Sequence, residues 1–226
     1  MSFQFTLDDF DDYTFDEARF NTPSNKAFVE QNGFKNDPDT FAIIGCGGTI
    51  SSAYSPTNEN IAPTHFSPIN DILKDLDTSF GIAENTASFI SLINKDSRDI
   101  TKDDIVFIMD VLNGIKSTRI VLTVGTYGLP LFTQIIDKCI QKEKIVCVTG
   151  SMLISSIKEN DVDFNGGGAI SSVNTLDRLS SVNESIVYAS FHGKIYKPEE
   201  CKNLELHLDS HSDVEFYRGQ RLAKAS

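Results

Sequence analysis

Phe41-Ala42-Ile43-Ile44-Gly45-Cys46-Gly47-Gly48-Thr49-Ile50 decides how this chain reads. Its first four residues form a continuous apolar run, the pattern of a short strand buried on both faces. Two glycines directly after such a strand permit a tight turn and let a ligand or another backbone approach closely. Thr49 then falls at the carboxyl edge of the sheet, where open α/β folds place their ligands. The arrangement repeats downstream, where Ile120-Val121-Leu122 leads into Thr123-Val124-Gly125-Thr126-Tyr127-Gly128. Two strand ends that each deliver a Gly-Thr pair to one sheet edge point to a threonine-based site.

Outward from these strands, helices and strands alternate. Ala87 to Ile93 is apolar enough for a strand, Ile145 to Val148 forms another, and Ile186 to Ala189 a fifth. Thr101-Lys102-Asp103-Asp104 is a capping-box pattern, and the helix it opens carries Ile105, Ile108, Met109, Leu112 and Ile115 at helical spacing. Leu129 to Ile140 reads as a second amphipathic helix, Ala169 to Leu179 as a third, and Ile69 to Leu76 as another. Ser51 to Ser67, with Pro56, Asn58 and Pro63, reads as a long loop of the kind that often binds or covers a ligand. This order predicts an α/β fold: a doubly wound, mostly parallel sheet with helices on both faces.

The boundaries follow composition. Residues 1–40 form an arm that interleaves acids with aromatics (Asp8, Asp9, Phe10, Asp11, Asp12, Tyr13, Phe15, Asp16, Glu17, Phe20). Such an arm either packs its aromatics on its own domain or docks on a basic partner or neighbouring subunit. Residues 41–200 hold the α/β domain, and 201–226 a weakly patterned tail. The 226 residues are enough for one large domain. A net charge of −12 and a pI near 4.7 argue against a nucleic-acid surface, which needs a basic patch. No window approaches the ~18 apolar residues of a membrane span, and the N-terminus has no secretory pattern. Cys46, Cys139, Cys147 and Cys201 match no zinc or disulfide spacing, so no metal is expected and a reduced, cytoplasmic setting fits best.

Other chemistries fail on their own motifs. Gly45-Cys46-Gly47-Gly48 lacks the third glycine of a dinucleotide fingerprint, since Ile50 stands there, and no Gly-Lys-Ser/Thr forms a phosphate loop. No Gly-x-Ser-x-Gly elbow accompanies His65, His192, His207 or His211. A threonine nucleophile needs a base. A lysine with depressed pKa can serve, and Lys144, directly before the strand at Ile145, is a candidate; the alternative is a solvated lysine at a strand start.

These blocks resemble the N-terminal domain of the bacterial-type L-asparaginases and glutaminase-asparaginases. Ile43 to Ile50 looks like the family's "TGGTI" signature, with Cys46 in place of its leading threonine. Asp96-Ser97-Arg98-Asp99-Ile100 is similar to the "DSSxM" segment, whose serine holds the substrate's α-carboxylate. Leu122 to Thr126 resembles "THGTDT", Lys144 to Met152 resembles the strand leading to the "GAM" turn, and Phe191 to Tyr196 resembles "FNGKIY". The resemblance spans roughly Phe41 to Lys197. It implies hydrolysis of a side-chain amide, L-asparagine or a related one, with release of ammonia and no cofactor. Thr49 would form the acyl-enzyme, with Thr126, Lys144 and the lid tyrosine Tyr54 as its catalytic partners. Gly48, Asp96, Ser97, Gly125 and Tyr127 would bind substrate, and backbone amides at the Gly-Thr turns would stabilise the oxyanion by ~3 kcal/mol per donor. Relatives pair subunits around this site, so the resemblance also implies a homo-oligomer.

The pattern also breaks. Tyr127 stands where the family has an acid that binds the substrate's ammonium, Val124 replaces its histidine and Gly128 its following threonine. A tyrosine supplies no fixed negative charge at neutral pH, and a buried unpaired ammonium costs several kcal/mol, about enough to abolish α-amino-acid binding. Asn165-Gly166-Gly167-Gly168 stands where the family has Asp-Gly before a helix, and the family's small C-terminal domain is expected to be absent. Two functions follow as expectations: a single-domain amidohydrolase, or a family member with weakened chemistry that binds a small ligand or a partner.

Overall fold

The two apolar runs that flank the Gly-Thr turns lie side by side at the middle of one sheet. The computed structural model describes residues 3–22, 25, 34–53, 65–66, 87–141, 143–153, 160–179, 185–202 and 204. The sheet strands are β1 (Phe41–Gly45), β4 (Ala87–Ser91), β5 (Arg119–Thr123), β6 (Ile145–Thr149), β7 (Ile186–Phe191) and β8 (Lys194–Tyr196); β2 (Ser52–Ala53) and β3 (His65–Phe66) pair separately. The order is β4-β1-β5-β6-β7-β8. Every pair is parallel except β7 with β8. The helices are α1 (Glu17–Phe20), α2 (Lys102–Gly114), α3 (Leu129–Cys139) and α4 (Val162–Leu179).

The continuous apolar runs are explained by two covered faces. Every residue of β1 and β6 is buried. Alternate positions Ala42, Ile44, Leu122, Val146 and Val148 join one core with Ile105, Ile108 and Met109 of α2 and Phe132, Ile135 and Ile136 of α3. Ile43, Val121, Ile145 and Cys147 join a second core with Val162, Ala169, Ile170 and Val173 of α4. The doubly wound α/β layering expected from the sequence is the one observed.

Local signals set the helix ends. Asp104 donates its amide to Thr101 Oγ1 at 3.2 Å, and Thr101 donates its amide to Asp104 Oδ2 at 2.8 Å. Pro130 sits in the first turn of α3, where no intrahelical amide is needed. Helix α4 differs from the sequence reading, because it begins at Val162 and contains the Asn165–Gly168 run in its second turn. Asn160 Oδ1 accepts the Val162 amide at 2.9 Å and fixes that earlier start. The helix expected over Ile69 to Leu76 lies outside the described residues.

The arm turns its aromatics inward. Phe5, Phe10, Phe20 and Phe34 are buried in the same core as α2 and α3. Tyr13 donates its hydroxyl to Asp110 Oδ1 at 2.9 Å, and Arg19 forms an ion pair with the same carboxylate, which is only 2% exposed. Lys138 on α3 pairs with Asp11. A buried carboxylate needs such partners, and here the arm supplies them.

Candidate active site

Chain direction places the site. In a sheet where β1 connects onward to β4 on one side and β5 lies on the other, the crevice opens between the carboxyl ends of β1 and β5. Gly47 and Gly48 follow β1 with φ of +77° and +78°, a backbone conformation that side chains rarely adopt. The turn is also pressed against its neighbours. A Cβ on Gly47 would lie 2.2 Å from the Lys95 carbonyl oxygen, and one on Gly48 would lie 2.3 Å from Gly125 Cα. Gly48 donates its amide to Lys95 O at 3.0 Å, and Cys46 donates to Thr123 O at 2.8 Å. Both Gly-Thr turns therefore meet backbone to backbone.

That contact brings Thr49 and Thr126, each next to it in the chain, to one place at the carboxyl edge, both partly exposed. Ser97 joins them from the loop after β4. It is buried, and its Oγ lies 2.5 Å from where a Gly125 Cβ would be. Asp96, also expected to bind substrate, is committed to Arg98: its Oδ1 accepts the Arg98 amide at 2.9 Å and Nε at 2.8 Å, and its Oδ2 accepts Nη2 at 2.7 Å. The guanidinium holds the Asp96 carboxyl below its ordinary range. Tyr127 is 40% exposed. Tyr54 lies outside the described residues.

Lys144 is the correction. It precedes β6, whereas the threonines follow β1 and β5, and in a parallel sheet those are opposite edges. Five strand residues separate Lys144 from the carboxyl edge, a span of about 16 Å at strand rise. Its Nζ donates to Ile115 O at 2.7 Å and Ser117 O at 3.0 Å, with the residue 2% exposed. The structure thus joins Lys144 to the start of β5, not to Thr49 or Thr126. Lys144→Met is expected to lower stability by ~2 kcal/mol, since it strands two buried carbonyls, while activity per folded molecule changes less than about twofold. Urea unfolding beside an ammonia assay checks both halves.

A group that the sequence reading missed lies one strand further along the same edge. The Asp161 carboxylate accepts the amides of Met152 (2.9 Å) and Leu153 (2.9 Å), Asn165 Nδ2 (2.9 Å) and a His192 Nε2 contact (3.3 Å). Burial pushes its pKa up, but these hydrogen bonds outweigh it and hold the carboxyl below its ordinary value. Asn165 also donates to Gly150 O and accepts the His192 amide, both at 2.9 Å. The cluster pins Gly150, whose backbone adjoins Thr126. An acid directly before a helix with an asparagine four residues on was the available signal.

Among the described residues no group of three or more His, Cys, Asp or Glu is placed to hold a metal ion, and no helix is long and apolar enough to cross a membrane. The four cysteines are buried and none is in a disulfide.

The sequence model of the family described as asparaginase, N-terminal, matches residues 40–212. The chain belongs to the asparaginase family. Among solved structures, this asparaginase-family chain is similar to the thermostable L-asparaginase from Thermococcus kodakarensis, at 24% identity and a TM-score of 0.57, covering 70% of this chain and 46% of that one. It is also similar to a probable cytoplasmic L-asparaginase from Campylobacter jejuni, at 20% identity and a TM-score of 0.57, covering 71% and 48%. Likeness at these identities shows the fold alone. The chain spans about half the length of both structures. No curated protein matches it by sequence.

Proposed function

We propose that this chain is an amidohydrolase that cleaves a small carboxamide and releases ammonia. The observation that supports the reading is the backbone contact between Gly48 and Gly125, the chain neighbours of Thr49 and Thr126, with buried Ser97 packed against Gly125 at the switch point of the sheet. Packing alone gives no reason for a hydroxyl directly behind the left-handed Gly47–Gly48 pair and a second one directly behind Gly125. Thr49 attacks the amide carbon, ammonia leaves as the C–N bond breaks, and water then hydrolyses the threonine ester. Thr126 and Ser97 orient the substrate. A threonine hydroxyl needs a base, and with Lys144 at the far edge the proton is taken by a group on the carboxyl side. L-asparagine or a related amide is the substrate class, and the active form is a homo-oligomer.

The second reading is a binding protein with weakened chemistry. Its support is specific: Lys144 is bonded elsewhere, and Tyr127 offers no carboxylate. The deciding experiment is ammonia release by purified protein from L-asparagine, L-glutamine and a panel of other carboxamides. Release that saturates with one amide supports the hydrolase. A folded protein that binds an amide and releases nothing supports the second reading.

A further inference from the structure

Phe3 of the N-terminal arm lies at the rim of the candidate site. The Phe3 ring lies 4.9 Å from the Tyr127 ring, centroid to centroid, and is backed by Phe5 at 5.3 Å and Phe132 at 5.8 Å. Phe5 and Phe132 are buried, so Phe3 rests on fixed support while the Tyr127 ring stays partly open to solvent next to Thr126. The arm that delivers Phe3 is held down by Asp110 and Lys138.

A flat, uncharged group gains by covering partly exposed aromatic surface of this kind.

We propose that Phe3 and Tyr127 form one aromatic wall that sets specificity, selecting carboxamides with a flat or apolar acyl group over small ones such as acetamide. The amide part rests on the amidohydrolase reading; the wall does not.

The test is isothermal titration calorimetry of phenylacetamide, acetamide and L-asparagine into the full chain carrying Thr49→Ala, which limits turnover. Phenylacetamide is expected to bind at least ~tenfold tighter than acetamide, the gain of one added aromatic contact. Phe3→Ala and Tyr127→Ala, each added to that background, remove most of the preference, while Tyr127→Phe keeps it. Circular dichroism checks folding, and Phe3→Leu, which keeps apolar bulk without the ring, replaces Phe3→Ala if the latter unfolds. A preference near unity, or one that survives loss of the Phe3 ring, overturns the wall. Ammonia release from L-asparagine together with no phenyl preference overturns the wall and leaves the hydrolase reading standing. A preference that needs Phe3, in a wild-type chain that releases no ammonia, upholds the wall and overturns the hydrolase reading.

Discussion

Thr49→Ala is expected to cut ammonia release from the preferred amide by at least ~10³-fold, the scale seen when a covalent nucleophile is lost. The fold is expected to survive. Thr49 is partly exposed and opens a single 3-10 turn, Thr49–Ser51, whose defining hydrogen bond runs between backbone atoms, Ser51 N to Gly48 O at 3.0 Å. Removing a hydroxyl and a methyl there leaves that bond in place. Steady-state ammonia assays beside unfolding curves separate the two effects. Full turnover by the alanine variant would remove Thr49 from the chemistry, and an unfolded variant would be seen directly in the curves.

Gly48→Ala carries the largest expected loss of stability, ~3 kcal/mol or more. A left-handed φ costs a non-glycine residue roughly 1 kcal/mol. The larger part is collision: the new Cβ would lie 2.3 Å from both Gly125 Cα and Gly125 N. Backbone cannot rotate away as a side chain can, so one Gly-Thr turn has to retreat from the other. Gly193→Ala is the matched control. Its φ is +74°, but its nearest neighbour is the Phe164 ring at 3.0 Å, an exposed side chain. It is expected to cost only about 1 kcal/mol, from the backbone conformation alone. Equal costs at the two positions would show that the close approach contributes nothing.

The sheet was legible because its strands are buried on both faces, which turns β1, β5 and β6 into unbroken apolar runs. The cap at Thr101 was legible because it needs only residues three apart. The start of α4 was hidden by three consecutive glycines, poor helix formers that put the expected start after them at Ala169, whereas Asn160 anchors the helix ahead of them at Val162. Lys144 was misread by a rule that sequence does contain: in a parallel sheet, residues before a strand and residues after one lie at opposite edges. The Phe3–Tyr127 and Arg19–Asp110 contacts had no signal in sequence, since nothing local links an arm to a helix or turn some ninety or more positions away.

The most direct test of the central claim is acid-quench mass spectrometry of the wild-type chain during turnover of its preferred amide. An acyl adduct, with the mass of the substrate's acyl group, is expected on the peptide that contains Thr49. Ammonia release with that peptide unmodified throughout, or with the adduct on another residue, would contradict the account.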